Sequence, residues 1–122
     1  MSDLAVDPEA FARLVEITGG ELDFVDELVD TYLEDGTQIV EQLRDAASRG
    51  SVADLVRPAH SLKSSSLNVG ALPLGEQCRT LEEAARRGEV PHAAEWAERI
   101  ATGFDDVRRE LLAERAGRTP SV

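Results

Sequence analysis

Residues 59–71 of the chain read AHSLKSSSLNVGA, and this stretch differs from the sequence around it. It contains His60, one of two histidines, and Lys63, the only lysine in a chain whose other twelve basic residues are arginines. Three serines follow the lysine, and Gly70 lies near the end of the stretch. Because a step of three residues is close to one helical turn, a helix here would place an imidazole and an ammonium group side by side.

The apolar residues of this region predict a helix with one buried side. At 100° per residue, Leu55, Leu62 and Val69 fall within about 40° of one another on the helical wheel. His60 lies on the opposite side of that wheel, so we expect its imidazole to face away from the core. Pro58 lacks a backbone donor and predicts a kink just before the histidine.

The helix surface around His60 combines small, apolar and basic side chains. Within about 40° of the histidine lie Val56, Ser64, Leu67 and Ala71, and Arg57 and Lys63 flank it at about 60° on either side. This pattern is typical either of a solvated helix face with a few apolar residues or of a docking surface for a partner protein. The geometry of the wheel leaves both interpretations open.

The rest of the chain is also predicted to be helical, because apolar residues recur at steps of three and four and no alternating strand pattern is found. Start and stop residues divide it into five helices: a short one that begins at Asp7 and Pro8, one over Leu22–Ser48, one within 51–70, one from Pro73 to Arg87, and one that opens at Pro91. Gly36 lies on the apolar stripe of the second helix, where it permits close helix approach or marks a bend. Ile17, Cys78 and Trp96 are predicted core residues.

These helices predict an all-α fold. Since short connections favour antiparallel neighbours, the expected architecture is an antiparallel up-down four-helix bundle with an additional short N-terminal helix. We expect one domain over residues 1–122, with the short helix at about 7–18, the bundle at about 21–116 and a frayed tail at about 117–122. A bundle of this kind is expected to be stable as a monomer.

The net charge and the composition of the chain argue against several classes of function. The net charge of −11 argues against binding to nucleic acid or to anionic membrane surfaces, both of which need clustered Lys and Arg. The N-terminus lacks the basic and apolar regions of a secretory signal, and no apolar run is long enough to span a membrane. One cysteine fits a reducing compartment, so the sequence predicts a cytoplasmic protein.

The order His60-Ser-Leu62-Lys63, with Gly70 several residues further on, resembles the signature of histidine phosphotransfer (HPt) domains. The pattern of that family is His-x-Leu-Lys-Gly, and Ser64, which is also small, stands here in place of the glycine. The resemblance covers most of the chain: a long acidic helix precedes the motif, and a helix with a small residue or cysteine followed by Leu-Glu comes after it. A final amphipathic helix completes the pattern.

The resemblance implies an intermediate of a two-component phosphorelay without kinase or hydrolase activity of its own. It implies that His60 accepts a phosphoryl group from the aspartyl phosphate of a response-regulator receiver domain and passes it to the aspartate of another receiver. A sensor (hybrid) histidine kinase is the other implied partner. No cofactor of this chain is implied, since the receiver's acidic pocket would supply Mg²⁺.

The resemblance also suggests roles for individual residues. Lys63 would stabilise charge on the phosphoryl group. Family members often place Glu or Gln 22 positions after the histidine, and Glu82 stands there; it would accept a hydrogen bond from Nδ1–H and orient the ring. An ordinary carboxylate at the edge of the core is the alternative for Glu82. The receiver would dock on the surface around His60, formed by Val56, Arg57, Ser64, Leu67 and Ala71.

Two other functions remain open at this point. The chain could be the phospho-accepting domain of a larger histidine kinase, although the Met1 start and plausible ends favour a complete small protein. It could also be a helical interaction module that does not transfer phosphate, in which case replacing His60 would leave partner binding intact.

Overall fold

The computed structural model describes residues 4–118, which form five α-helices and contain no β-strand. The predicted all-α class is therefore confirmed for this part of the chain. The helices are α1 (Pro8–Ile17), α2 (Leu22–Ser48), α3 (Val56–Asn68), α4 (Leu72–Arg86) and α5 (Ala93–Arg118). Helix α5 continues two residues beyond the predicted end of the bundle, and the last four residues of the predicted tail lie outside the described range.

Most helix boundaries follow the start and stop residues in the sequence. The Asp7 carboxylate caps α1 by accepting a hydrogen bond of 3.1 Å from the Ala10 N–H, and Pro8 occupies the first helical position, where no backbone donor is needed. Helix α2 spans the predicted residues and ends with Arg49 at its C-cap. A 3₁₀ turn at Ala53–Leu55 then leads into α3.

Two details near helix starts differ from the expectation. Helix α3 begins only at Val56, so Pro58 lies in its first turn, where backbone N–H groups have no intrahelical partner. Helix α5 begins at Ala93 and not at Pro91, since the residue between them, His92, has a φ of 60° that a right-handed helix does not contain.

The four longer helices form a closed ring of contacts. Helix α2 packs against α3 and α5, and α4 packs against the same two helices. Short α1 packs against α2, and the Asp7 N–H donates to the Gly70 carbonyl over 2.8 Å at the turn after α3. The enclosed core is apolar, and its largest buried side chains are Val25, Leu43, Leu55, Leu62, Leu74, Leu81, Ile100 and Val107.

Two residues predicted to be core lie largely or partly outside it. Ile17, at the end of α1, is 82% exposed, because the short helix covers the bundle with its other side, through Phe11. Trp96 is half-buried, and the Arg99 guanidinium lies 4.9 Å from the centre of its ring. A cation over an aromatic face stabilises a partly exposed indole without full burial.

Gly36 permits a close approach of α2 and α5. A Cβ atom at this position would lie 2.3 Å from Cε1 of Phe104, well inside van der Waals contact. The Phe104 ring in turn packs at a tilt against Tyr32, with 5.7 Å between ring centroids. The close-approach alternative for Gly36 is therefore the one that the structure shows.

A buried hydroxyl pair links α2 to α3. The Tyr32 and Ser66 hydroxyl oxygens lie 2.8 Å apart, and Ser66 is completely buried. Burial raises the pKa of the Tyr32 phenol, so the pair stays neutral at physiological pH. Sequence patterns did not single out Ser66, because a serine within a run of three serines looks like surface.

Replacing Tyr32 with phenylalanine is expected to lower the free energy of unfolding by about 1–2 kcal/mol, because it leaves the Ser66 hydroxyl buried without its partner. Urea denaturation of Tyr32→Phe, Ser66→Ala and the double variant measures this directly. We expect the double variant to lose less stability than the two single losses added together. Additive losses would show that the two hydroxyls do not stabilise each other.

None of the helices within residues 4–118 is long and apolar enough to cross a membrane.

Candidate functional site

His60 lies on the outward side of α3. Leu55, Leu62 and Val69 are buried, as the helical wheel predicts, and the His60 side chain is 52% exposed. The core therefore holds α3 on one side and leaves the imidazole on the other. A rigid helix carries a half-exposed nitrogen base at the protein surface.

Glu82 of α4 lies at the centre of the site. Although it is only 5% exposed, its carboxylate contacts three nitrogen-bearing side chains. The His60 Nδ1 lies 3.0 Å from Oε2, and the Lys63 Nζ lies 2.7 Å from Oε1. Arg86 donates to Oε2 from Nε over 3.0 Å and pairs with it through Nη2 over 2.8 Å.

The structure thus brings together the three residues that sequence analysis placed in the chemistry, His60, Lys63 and Glu82. It also brings in Arg86, which sequence reasoning missed. The signal was present, since Glu82 and Arg86 are four residues apart on one helix, the spacing at which side chains of opposite charge meet. This pair of residues was one of several with the same spacing in a highly charged chain, so nothing in the sequence singled it out.

Cationic neighbours keep Glu82 ionised despite its burial. Burial raises the pKa of this carboxyl, but hydrogen bonds from Lys63, Arg86 and His60 act in the opposite direction and lower it to about 2. A buried carboxylate would be costly without such partners. Lys63 is itself 21% exposed, so its contact with the carboxylate is partly sheltered from solvent.

An ionised Glu82 selects one form of the imidazole. Because a carboxylate only accepts hydrogen bonds, the His60 Nδ1 at 3.0 Å from Oε2 must carry the hydrogen. In the neutral ring the other nitrogen, Nε2, then holds the free lone pair. The site therefore presents an oriented nucleophilic nitrogen.

Close packing of α3 on α4 makes these contacts possible. A Cβ atom at Gly75 would lie 2.5 Å from the Leu67 Cδ2, so a larger residue here would force the Leu67 side chain to move. Glu82 lies two helical turns further along α4, on nearly the same side as Gly75. Its carboxylate therefore reaches the surface of α3 beside the histidine.

Four of the five residues predicted to form the docking surface are accessible to solvent. Arg57 and Ser64 are exposed, and Val56 and Leu67 are half-buried. Ala71 is completely buried, so its assignment to the surface is wrong. The wheel was extended past the end of α3, whereas Ala71 caps α4 and its N–H donates to the Ser66 carbonyl over 2.8 Å.

Two other reactive side chains take no part in these hydrogen bonds and ion pairs. Cys78 is buried in the core, where burial raises the pKa of its thiol to about 12. The second histidine, His92, is exposed before α5. Within residues 4–118, no cluster of His, Cys, Asp and Glu is suited to hold a metal ion.

The stability of the protein should depend on pH through Glu82. Its pKa in the folded protein, about 2, lies below the ordinary value of 4.5, so its ionised form contributes stability that is fully present above about pH 4.5 and is lost as the pH falls towards 2. We expect the difference in unfolding free energy between the wild type and Glu82→Gln to shrink over this interval. Urea denaturation between pH 2 and 7 measures it, and a difference that stays constant would contradict the assignment.

Comparisons with known proteins identify the family and a similar solved structure. The model of the Hpt domain family matches residues 27–110. A search of solved structures finds the crystal structure of histidine-containing phosphotransfer protein B (HptB) from Pseudomonas aeruginosa PAO1, 33% identical in sequence with a TM-score of 0.85. The match covers 97% of this chain and 100% of that one. No curated protein matches the sequence.

Proposed function

Since this chain belongs to the Hpt domain family of two-component signalling, we propose that it accepts a phosphoryl group on His60 from the aspartyl phosphate of a receiver domain. It then passes the group to the aspartate of another receiver. The observation that supports this most strongly is the contact of Nδ1 with the buried Glu82, which leaves Nε2 of a half-exposed ring as the free nucleophile.

The transfer needs no proton acceptor. The Nε2 lone pair attacks the phosphorus of the aspartyl phosphate, the bond from phosphorus to the aspartate oxygen breaks, and the aspartate leaves as a carboxylate. The ring keeps its Nδ1 hydrogen and becomes a positively charged phosphoimidazolium. Glu82, ionised and 3.0 Å from Nδ1, is placed to stabilise that positive charge. Transfer to a second receiver is the same step in reverse.

Lys63 provides positive charge for the phosphoryl oxygens. It lies one turn after His60 and contacts the same carboxylate as the imidazole, so its ammonium group is close to the ring. Phosphoryl transfer depends on in-line positioning and on compensation of the negative charge on the oxygens. A compact ammonium on a flexible stem suits this task, because it can follow the phosphoryl group as it arrives.

The receiver would dock over α3 and α4 around His60, on Val56, Arg57, Ser64 and Leu67. Arg57 is exposed and forms no ion pair within residues 4–118, so it offers positive charge in a protein of net charge −11. An acidic receiver pocket that carries Mg²⁺ would find a complementary cation there. The metal ion belongs to the receiver in this proposal, and the kinase that starts the relay is a sensor (hybrid) histidine kinase.

The proposal also covers the domain organisation and the oligomeric state of the protein. One domain over residues 1–122, monomeric and with its four longer helices in the antiparallel up-down order, would act as a phosphocarrier without kinase or hydrolase activity. The closed ring of contacts among those helices supports this arrangement.

The proposal is tested by mixing the protein with a receiver domain phosphorylated by a small phosphodonor in the presence of Mg²⁺. We expect phosphate to leave the receiver and appear on this chain, and then to move to a second, unphosphorylated receiver. A folded protein that binds receivers but never becomes labelled would instead be an interaction module without transfer activity.

A further inference from the structure

Arg86 has no part in the proposed function described so far. It lies at the end of α4, four residues after Glu82, with a side chain that is 59% exposed. Its guanidinium nevertheless places two nitrogens on a carboxylate that is 6% exposed. The oxygen it contacts, Oε2, is also the oxygen beside the His60 Nδ1.

The two oxygens of Glu82 therefore have different partners. Oε2 lies between His60 and Arg86, whereas Oε1 contacts Lys63 over 2.7 Å. In the proposed reaction Lys63 contacts two anions in turn, the Glu82 carboxylate and the phosphoryl group. The ammonium that now contacts Oε1 must therefore also reach the phosphoryl oxygens. When Lys63 turns to the phosphoryl group, Arg86 and the imidazole ring are the groups that stay on Glu82 among the residues described.

We infer that Arg86 is a positioning residue for the transfer: it holds the Glu82 carboxylate on the His60 Nδ1 and allows Lys63 to leave that carboxylate for the phosphoryl group. This inference rests on the proposed function. Two nitrogens of the Arg86 guanidinium lie on the same oxygen, Oε2, so they hold that oxygen beside the His60 Nδ1 more firmly than a single ammonium would. Without Arg86, Glu82 would be free to turn towards Lys63, its other cation.

Loss of Arg86 should then have two consequences. The carboxylate would spend less time on Nδ1, so the ring would lose its preference for the form with a free Nε2 lone pair. Lys63 would also be held more tightly, since it would be the principal cation left to a buried carboxylate. Both changes slow the transfer step itself and leave receiver docking unaffected.

The test compares Arg86→Gln, Arg86→Lys and a matched control, Arg87→Gln. Arg87 is the next residue, is exposed and lies at the C-cap of α4, so its replacement removes the same charge from the same helix end. Nitrogen-15 NMR of the unphosphorylated proteins, at a pH where the ring is neutral, gives the ratio of the two His60 tautomers. Rates at increasing receiver concentration separate the maximal transfer rate from the half-saturating concentration.

In Arg86→Gln we expect a shift towards the Nε2–H tautomer and a maximal transfer rate lower by about tenfold, a modest loss for a misplaced reacting group. The half-saturating receiver concentration should be unchanged. Arg86→Lys should recover part of the rate, and Arg87→Gln should match the wild type in both measurements.

Three results would overturn the inference. They are a wild-type tautomer ratio in Arg86→Gln, a shifted ratio with unchanged transfer, and a change confined to the half-saturating concentration, which would assign Arg86 to docking. Failure of the proposed function looks different, because the wild type itself would then stay unlabelled. The tautomer measurement needs no receiver, so it still shows whether Arg86 holds Glu82 on the His60 Nδ1 in that case.

Discussion

Replacing His60 with glutamine is expected to abolish phosphoryl acceptance and to leave the fold intact. A carboxamide has no nucleophilic lone pair comparable to that of imidazole Nε2, so labelling should fall by at least about a thousandfold. The His60 side chain is 52% exposed and faces away from the core, and a glutamine amide can still donate to Glu82. Transfer assays with a phosphorylated receiver measure the loss, and urea denaturation measures the stability.

The other histidine provides the matched control. His92 is exposed and lies between α4 and α5, so His92→Gln should be labelled at the wild-type rate. Residual labelling of His60→Gln would place the acceptor elsewhere. A loss of stability beyond about 1 kcal/mol would mean that the imidazole contributes to folding more than its exposed position indicates.

Replacing Lys63 with alanine is expected to have the second largest effect, a transfer rate slower by about 10- to 100-fold, because a cation near the phosphoryl oxygens is lost. The same change also removes the only cation that the described residues place on the Glu82 Oε1, which is inaccessible to solvent. The free energy of unfolding should therefore fall by about 1–3 kcal/mol. Transfer rates and urea denaturation of one protein preparation give both numbers.

A double variant separates these two effects. Lys63→Ala combined with Glu82→Gln no longer leaves the buried Oε1 of an ionised carboxylate without its partner, so it should recover stability relative to Lys63→Ala alone. Its transfer rate should stay low, because the cation is still missing. An unchanged rate in Lys63→Ala would remove Lys63 from the mechanism, and a rate restored in the double variant would show that only the buried charge had mattered.

The parts of the fold that were predictable from the sequence depend on local periodicity. Helix α2 has the bounds that its apolar steps and the Arg49-Gly50 end predict, and the outward direction of His60 follows from the buried positions Leu55, Leu62 and Val69, which lie in α3 or directly next to its ends. Both depend only on neighbours along one helix. The contact of Glu82 with the imidazole was expected from the resemblance to HPt domains, which often have Glu or Gln 22 positions after the histidine, and not from periodicity.

What was missed depends on neighbours far apart in the chain or on irregular backbone. Ala71 was assigned to a helix that ends three residues earlier, because periodicity does not show where the chain turns. The bond between Tyr32 and Ser66 joins residues 34 positions apart. The burial of Glu82, and with it the importance of Arg86, follows from the close approach of α3 and α4 at Gly75 and Leu67. The close packing of two helices cannot be read from a single sequence.

The central claim is that the Nε2 of His60 carries the phosphoryl group, and locating the phosphate after reaction with a phosphorylated receiver tests it most directly. Mass spectrometry under alkaline conditions identifies the labelled residue, and phosphorus-31 NMR distinguishes the two ring nitrogens. The account predicts one phosphohistidine, at His60 and on Nε2. Phosphate on Nδ1 or on another residue, or none on a folded protein exposed to active receivers, would contradict it.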